Sequence, residues 1–321
     1  MKRKVLVVQP IHERALDLLR DRDDVSFKVV TDFSEENLIK HVVDAEAITV
    51  RDAPLGRRVI KAAKRLKVVS RHGVGYDNIP VNLCSELGIP VTIVGPVNAV
   101  SVAEHTIYLM LAAARQGMLL DAAVRKGDFS ARDRVTAVEL RGKTLLLVGF
   151  GRIGREVAKR AATFDMNIKV FDPFCGDRSG IEVDFVDTLE TGLSDADVVS
   201  LHAPLNDGTR RIIGARELAI LPRRSIVVNA SRGGLLDEAA LVAAVASGKL
   251  HGAALDTFDR EPLSENSPLT REPRIVLSPH CAALSEEALI SMGVKTVENV
   301  LAVLDGEPIA DLIVNGERVE A

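Results

Sequence analysis

Residues 144–155 read TLLLVGFGRIGR, and the order of residue types in them decides the fold. The apolar run Leu145–Val148 is a buried strand, Gly149, Gly151 and Gly154 follow as G-x-G-x-x-G, and REVAKRA continues with helical character. A strand turning sharply into a helix leaves the first helical N–H groups without intrahelical acceptors, so such a turn suits a phosphate group. Gly149 permits the turn, Gly151 lets a pyrophosphate approach the backbone, and Gly154 lets the helix pack closely on the strand. Alone, the pattern fits a plain structural turn equally well.

The neighbouring residues decide between these readings. The next strand, NIKVFD, ends in Asp172, 18 residues after Gly154, close to the roughly 20 expected for an acid that bonds the adenosine ribose hydroxyls. That carboxylate repels a 2′-phosphate, and Pro173 and Phe174 beside it supply no compensating cation, so NAD is expected over NADP. Arg152 and Ile153, between the second and third glycines, belong to the same cofactor-binding stretch.

Further out, TLLLVGF, NIKVFDP, ADVVSLHAP, SIVVNAS, HGAALD and RIVLSP are six β-rich runs, the count of a dinucleotide-binding sheet. Upstream, KVLVV, VSFKVV, AITV and KVVS alternate with helical stretches and form another α/β unit with a parallel sheet. From Ser101 to Gly127 the spacing predicts one long, mostly buried helix, with Ser101 as N-cap and Glu104 completing a capping box. An amphipathic helix follows Ala283, and the tail PIADLIVNGERVEA is too short to fold alone, so it packs onto something earlier. The expected fold is therefore α/β with two doubly wound parallel-sheet domains. A Rossmann NAD-binding domain, residues 99–283, is inserted in a flavodoxin-like substrate domain of residues 1–98 and 284–321.

Composition agrees with two soluble domains, since 321 residues exceed one ordinary core. Its 41 basic and 45 acidic residues are well mixed, so neither nucleic acid nor a membrane surface is an expected partner. No run approaches the roughly 18 apolar residues of a membrane span, and the start, MKRKVLVVQP, is too short for a signal sequence. Cys84, Cys175 and Cys281 suit neither a disulfide framework nor a metal site, which fits a reducing cytoplasm.

Seven segments in order carry a further signal: SRHGVGYDNIP (70–80), VNAVSVAEHT (97–106), VGFGRIG (148–154), LHAPL (201–205), NASRGGLLDEAAL (229–241), LDTFDREP (255–262) and SPH (278–280). With them nearly the whole chain resembles the D-isomer-specific 2-hydroxyacid dehydrogenase family, in its phosphoglycerate dehydrogenase-like form. The resemblance implies that Arg232 binds the carboxylate and polarises the keto oxygen of a small 2-keto acid, and that His280 is the general acid/base with Glu261 as its acidic partner. It also implies that amides around Val74 and Gly75 meet the substrate carboxylate, that Asp256 bonds the nicotinamide carboxamide, and that His202 and Pro204 flank the cofactor. Catalysis is then expected in a cleft between the domains, in a homodimer formed through the helix at 99–126.

Each implied role has a chemical reason. Imidazole, titrating near 6.5, gives and takes a proton near neutrality, and a carboxylate beside it favours the protonated ring. Arginine grips a carboxylate through two parallel hydrogen bonds and stays charged. Taken singly, Arg232 reads equally as a surface cation, Glu261 as a turn residue and His280 as a satisfied loop histidine; their ordered occurrence selects the chemical reading.

Other features remain open. Arg51 and Arg71 read either as ligands of a substrate phosphate or sulfonate or as solvated cations, and His202 as either a cofactor neighbour or a packing residue. His72, His105 and His251 have no partner in the sequence, and Cys281, adjacent to His280, reads either as a reactive thiol or as a small packing residue. CAALSEEA after His280, and Phe129 where many relatives carry tryptophan, depart from the family pattern; closure at Ala321 sets the expectation of no serine-binding regulatory domain. An NAD(H)-sensing corepressor-like protein is the rival from another class. Formate dehydrogenase is disfavoured because such relatives carry glutamine in place of Glu261.

Overall fold

The computed structural model describes residues 2–178 and 180–316, so residues 317–321 of the tail lie outside the described residues. The chain divides into two units, residues 1–98 with 284–321, and residues 99–283.

In the first unit the chain runs β1 (Arg3–Val8), α1 (Glu13–Arg20), β2 (Val25–Val30), α2 (Glu35–Val42), β3 (Ala47–Val50), α3 (Arg57–Ala62), β4 (Val68–Arg71), α4 (Val81–Glu86) and β5 (Val91–Thr92). The five strands pair in parallel in the order β2-β1-β3-β4-β5, the flavodoxin-like arrangement. Helices on both faces explain why Val5–Val8 of β1 are all buried and read as a continuous apolar run rather than an alternation. The C-terminal helix, Glu286–Asp305, starts where the Ser285 hydroxyl accepts the Ala288 amide and stops at Gly306 in the left-handed region. Gly293 brings that helix against α1, since a Cβ there would lie 3.1 Å from Ala15 Cβ. After it the chain returns to β5: Val314 donates its amide to Val91 O (2.9 Å), while Asn315 Oδ1 accepts the Val91 amide (2.8 Å). The short tail thereby satisfies backbone groups of an edge strand.

The second unit comprises α5 (Ala99–Arg115), α6 (Gly117–Arg125), β6 (Thr144–Val148), α7 (Arg152–Ala162), β7 (Asn167–Phe171), β8 (Asp184–Phe185), α8 (Leu189–Leu193), β9 (Val198–Leu201), α9 (Ala215–Ile220), β10 (Ser225–Asn229), α10 (Glu238–Ala246), β11 (Leu250–Leu255) and β12 (Ile275–Leu277). Its parallel sheet runs β12-β11-β10-β9-β6-β7-β8. This is the Rossmann order with a seventh strand, and the direction in which successive strands are added reverses between β6 and β9, where such sheets bind ligands. The six expected runs are all strands; β8, only two residues long, leaves no periodicity to read.

One expectation is corrected. The long helix is two helices bent by 64°, because Gln116 adopts a left-handed conformation with φ 48°. Ser101 is not the cap, since α5 already begins at Ala99; its hydroxyl instead donates to Ala282 O (2.8 Å). Apolar density continues through the break and hides it. Among the described residues no single helix is long and apolar enough to cross a membrane.

Candidate active site

Six loops, after β6, β7, β9, β10, β11 and β12, leave the C-terminal ends of parallel strands in the second unit, and the implied site residues of that unit lie on them. After β6, Gly149 has φ 99°, and a Cβ there would stand 2.7 Å from the carbonyl carbon of His202, so the loops after β6 and β9 touch through backbone alone. A Cβ on Gly154 would meet Gly149 O at 2.5 Å, which seats α7 tightly on the turn. Gly151, the N-cap of α7, has open space where a side chain would stand. The turn thus leaves room for a pyrophosphate beside the leading amides of Arg152, Ile153 and Gly154, and the residues fit NAD.

Asp172, at the end of β7, accepts the Phe150 amide on Oδ2 (2.8 Å) and the Phe174 amide on Oδ1 (2.9 Å). Its carboxylate therefore stiffens the glycine turn, a task the sequence did not reveal. His202, after β9, bonds Ser200 Oγ through Nε2 (2.9 Å), and burial pushes its ring down to about 4, so it is neutral near pH 7. Pro204 follows in the same loop, its carbonyl accepting the Thr209 hydroxyl (2.6 Å).

After β10 comes Arg232. The buried Asn229 shapes this loop by accepting the Ser231 amide (3.1 Å) and donating to Arg232 O (2.9 Å). Gly233 is pressed onto the loop after β11, because a Cβ there would fall 1.8 Å from Phe258 C. That close approach explains the glycine after Arg232 and brings the arginine's charge to bear on Glu261.

Glu261 Oε1 accepts the Phe258 amide (3.0 Å), and Oε2 lies 2.8 Å from His280 Nδ1. Burial opposes ionisation of Glu261, but the hydrogen bonds from His280 and Phe258 and the charges of His280 and Arg232 outweigh it. The carboxyl is held below its ordinary range. With Nδ1 donating to Glu261, the ring is held in one orientation, with Nε2 turned away from that carboxylate.

Behind His280 lies a buried polar cluster. Asp256, at the end of β11, is fully buried; Oδ1 accepts the Ser278 hydroxyl (2.6 Å) and the Cys281 amide (2.9 Å), and Oδ2 accepts the Ala282 amide (2.9 Å). Burial alone would raise its carboxyl; these bonds and His105 hold it at about 2. His105, Asp256 and Cys281 present ligand atoms within 4.8 Å of one another. The acid's oxygens are already committed, and burial and Asp256 raise the Cys281 thiol above its ordinary value, which disfavours the thiolate a metal needs. The cluster is a hydrogen-bond network. His251 bonds Ala114 O (3.1 Å) elsewhere in the unit.

In the first unit, Gly73 has φ 141° in the loop carrying Val74 and Gly75. Arg71 is buried: it donates to Gly75 O (2.7 Å), His72 O and Asp52 (2.9 Å), so it braces this loop rather than standing as a solvated cation. Arg51 donates to Pro10 O (3.1 Å). Burial, with Arg51 and Arg71 nearby, pushes His72 down to about 4.

Comparison with known proteins matches residues 107–282 to the family described as D-isomer specific 2-hydroxyacid dehydrogenase, NAD binding domain. A D-3-phosphoglycerate dehydrogenase of Archaeoglobus fulgidus is 40% identical over 97% of this chain, which spans only 59% of that relative's length. A hydroxypyruvate reductase of Thermotoga maritima is 36% identical, with 92% of this chain and 97% of the relative aligned. Among solved structures, the TT0316 protein from Thermus thermophilus superposes with a TM-score of 0.88 at 36% identity, covering 95% of this chain and 98% of that one.

Proposed function

The chain belongs to the D-isomer-specific 2-hydroxyacid dehydrogenase family, and from that premise we propose that it transfers a hydride between NAD(H) and a small D-2-hydroxy acid or its 2-keto acid. Phosphoglycerate, glycerate and glyoxylate chemistry define the substrate class. The observation that carries the reading is the 2.8 Å contact of His280 with Glu261, at the same sheet end as the glycine turn.

When bound, reduced NAD supplies the hydride. Gly149, Gly151, Arg152, Ile153 and Gly154 would hold its pyrophosphate, Asp172 would meet its ribose, and His202 and Pro204 would flank it; Asp256, fully buried with both oxygens engaged by Ser278, Cys281 and Ala282, orders the loop behind it instead of meeting its carboxamide. Arg232 grips the substrate carboxylate and draws electron density from the keto oxygen, and the amides of Val74 and Gly75 are further substrate-binding groups. His280 delivers a proton from Nε2 to the developing alkoxide while Glu261 stabilises the imidazolium; oxidation reverses the transfer. The test is NADH consumption with phosphohydroxypyruvate, hydroxypyruvate, glyoxylate and sulfopyruvate. Turnover of one supports the dehydrogenase; tight NADH binding without turnover of any rejects it in favour of an NAD(H) sensor.

The working unit is a homodimer in a reducing cytoplasm, paired through α5, α6 and the segment after them. Val100, Tyr108, Met118, Val124 and Phe129 are exposed apolar residues there, and α6 buries none of its side chains within its own unit. Light scattering at micromolar concentration checks this, and a monomer rejects it.

A further inference from the structure

We propose that one face of α5, formed by Ser101 and His105, positions His280, with His105 the principal positioning residue. The inference rests on the reading of His280 as the proton donor. His280 has φ 51°, a left-handed conformation that a non-glycine residue adopts only when its surroundings hold it there. The hold comes from Asp256, whose backbone carbonyl accepts the His280 amide (2.8 Å) while its carboxylate accepts the amides of Cys281 and Ala282 (2.9 Å each). Three consecutive amides thus close on one aspartate.

The carboxylate is fixed in turn from α5. Ser278 Oγ lies 2.6 Å from Asp256 Oδ1 and 3.0 Å from His105 Nε2. A hydroxyl has one proton, and a carboxylate can only accept, so Ser278 spends its proton on Asp256 and receives one from His105. This assigns the Nε2–H tautomer to His105 and makes a directed chain from His105 through Ser278 to Asp256. His105 Nε2 also lies 3.5 Å from Asp256 Oδ1. One helical turn earlier, the Ser101 hydroxyl donates to Ala282 O (2.8 Å). Residues 101 and 105 share a helix face, so α5 grips the 278–282 segment at both ends. The helix is a firm support, with ten residues from Ala99 to Ala114 buried.

The experiment compares His105→Leu, which deletes the donor, with His105→Gln, whose amide can still donate to Ser278, in the full chain. Steady-state kinetics should show kcat for keto-acid reduction lowered about tenfold or more in His105→Leu, as a displaced proton donor requires. The substrate KM and the Kd for NADH should stay within about threefold, and His105→Gln should recover most of kcat. A readout without turnover is the His280 ring resonance in histidine-labelled protein, identified by its loss in His280→Gln. In His105→Leu its titration should move to lower pH as the contact with Glu261 loosens, and His105→Gln should restore it. If His105→Leu does not fold, Ser278→Ala cuts the same chain and should give the same split and the same shift. Wild-type protein that turns over no keto acid overturns the functional reading, while the resonance still decides the clamp. An unmoved resonance, or a kcat loss that glutamine does not recover, overturns the clamp.

Discussion

Two carboxylate–histidine pairs stand at one end of the second sheet, and they differ in exposure. The side chains of His280 and Glu261 are 39% and 36% exposed at 2.8 Å, whereas those of His105 and Asp256 are 18% and 0% exposed at 3.5 Å. The same two chemical groups therefore have different prospects. The open pair is exposed enough for a third molecule to reach it, and among the described residues Glu261 accepts a backbone hydrogen bond from Phe258. In the sealed pair the carboxylate is consumed by two amides and a hydroxyl, so its charge serves geometry. Burial and the number of competing donors, more than residue type, separate chemistry from support.

The largest effect that tests this contrast is His280→Ala. It should lower kcat by roughly 10²–10⁴-fold, the range for a lost general acid, and leave NADH affinity nearly intact. A loss below about tenfold in single-turnover kinetics would assign the proton to another group.

Asp256→Asn should show the opposite signature, with its primary cost in folding. An amide NH₂ would face a backbone N–H in a buried site, which costs about 1–3 kcal/mol, measured as a fall in the chemical-denaturation midpoint. Equal stability with lost activity would move Asp256 from support to chemistry.

The sealed carboxylate also predicts acid behaviour. Its folded value of about 2 lies below the ordinary 3.8, so the stability it contributes is complete above pH 3.8 and is lost as pH falls towards 2. The amount is about 2 kcal/mol. Denaturation midpoints between those pH values should fall less steeply in Asp256→Asn than in the wild type.

Glu261→Gln should retain part of the turnover. Reduction requires the protonated ring, so the rate falls as pH rises through the ring's titration, and removal of the carboxylate brings that fall to lower pH. An unshifted profile would show that the open pair is electrostatically idle.

The smallest change is expected away from both pairs. Wild-type protein should favour NADH over NADPH by at least about tenfold in kcat/KM, and Asp172→Ala should narrow that preference by removing repulsion of a 2′-phosphate. Because Asp172 also accepts the Phe150 and Phe174 amides, NADH binding should weaken as well. Comparable use of both cofactors by the wild type would remove this role from Asp172.

The order of βα elements was legible because strand runs buried on both faces are continuously apolar and the glycines sit at a strand-to-helix junction. Arg232, Glu261 and His280 stand in ordered motifs that the sequence displays, and for Arg232 the neighbouring Gly233 has a steric reason to be glycine. The break at Gln116 was hidden because a left-handed residue leaves no mark on apolar spacing. His105 was hidden because its partner Ser278 is 173 positions away.

By itself, the amino-acid order determined which segments become strands and helices, and which residue types able to bind a dinucleotide and move a proton occur along them. Those properties follow from local sterics, periodicity and functional-group chemistry. Only the tertiary structure decided that His105 meets Asp256, which pair stays open, and that Asp256 gathers the amides of 280–282. These depend on distances between strand ends far apart in the chain and on the exclusion of water, neither of which exists until the sheet has closed.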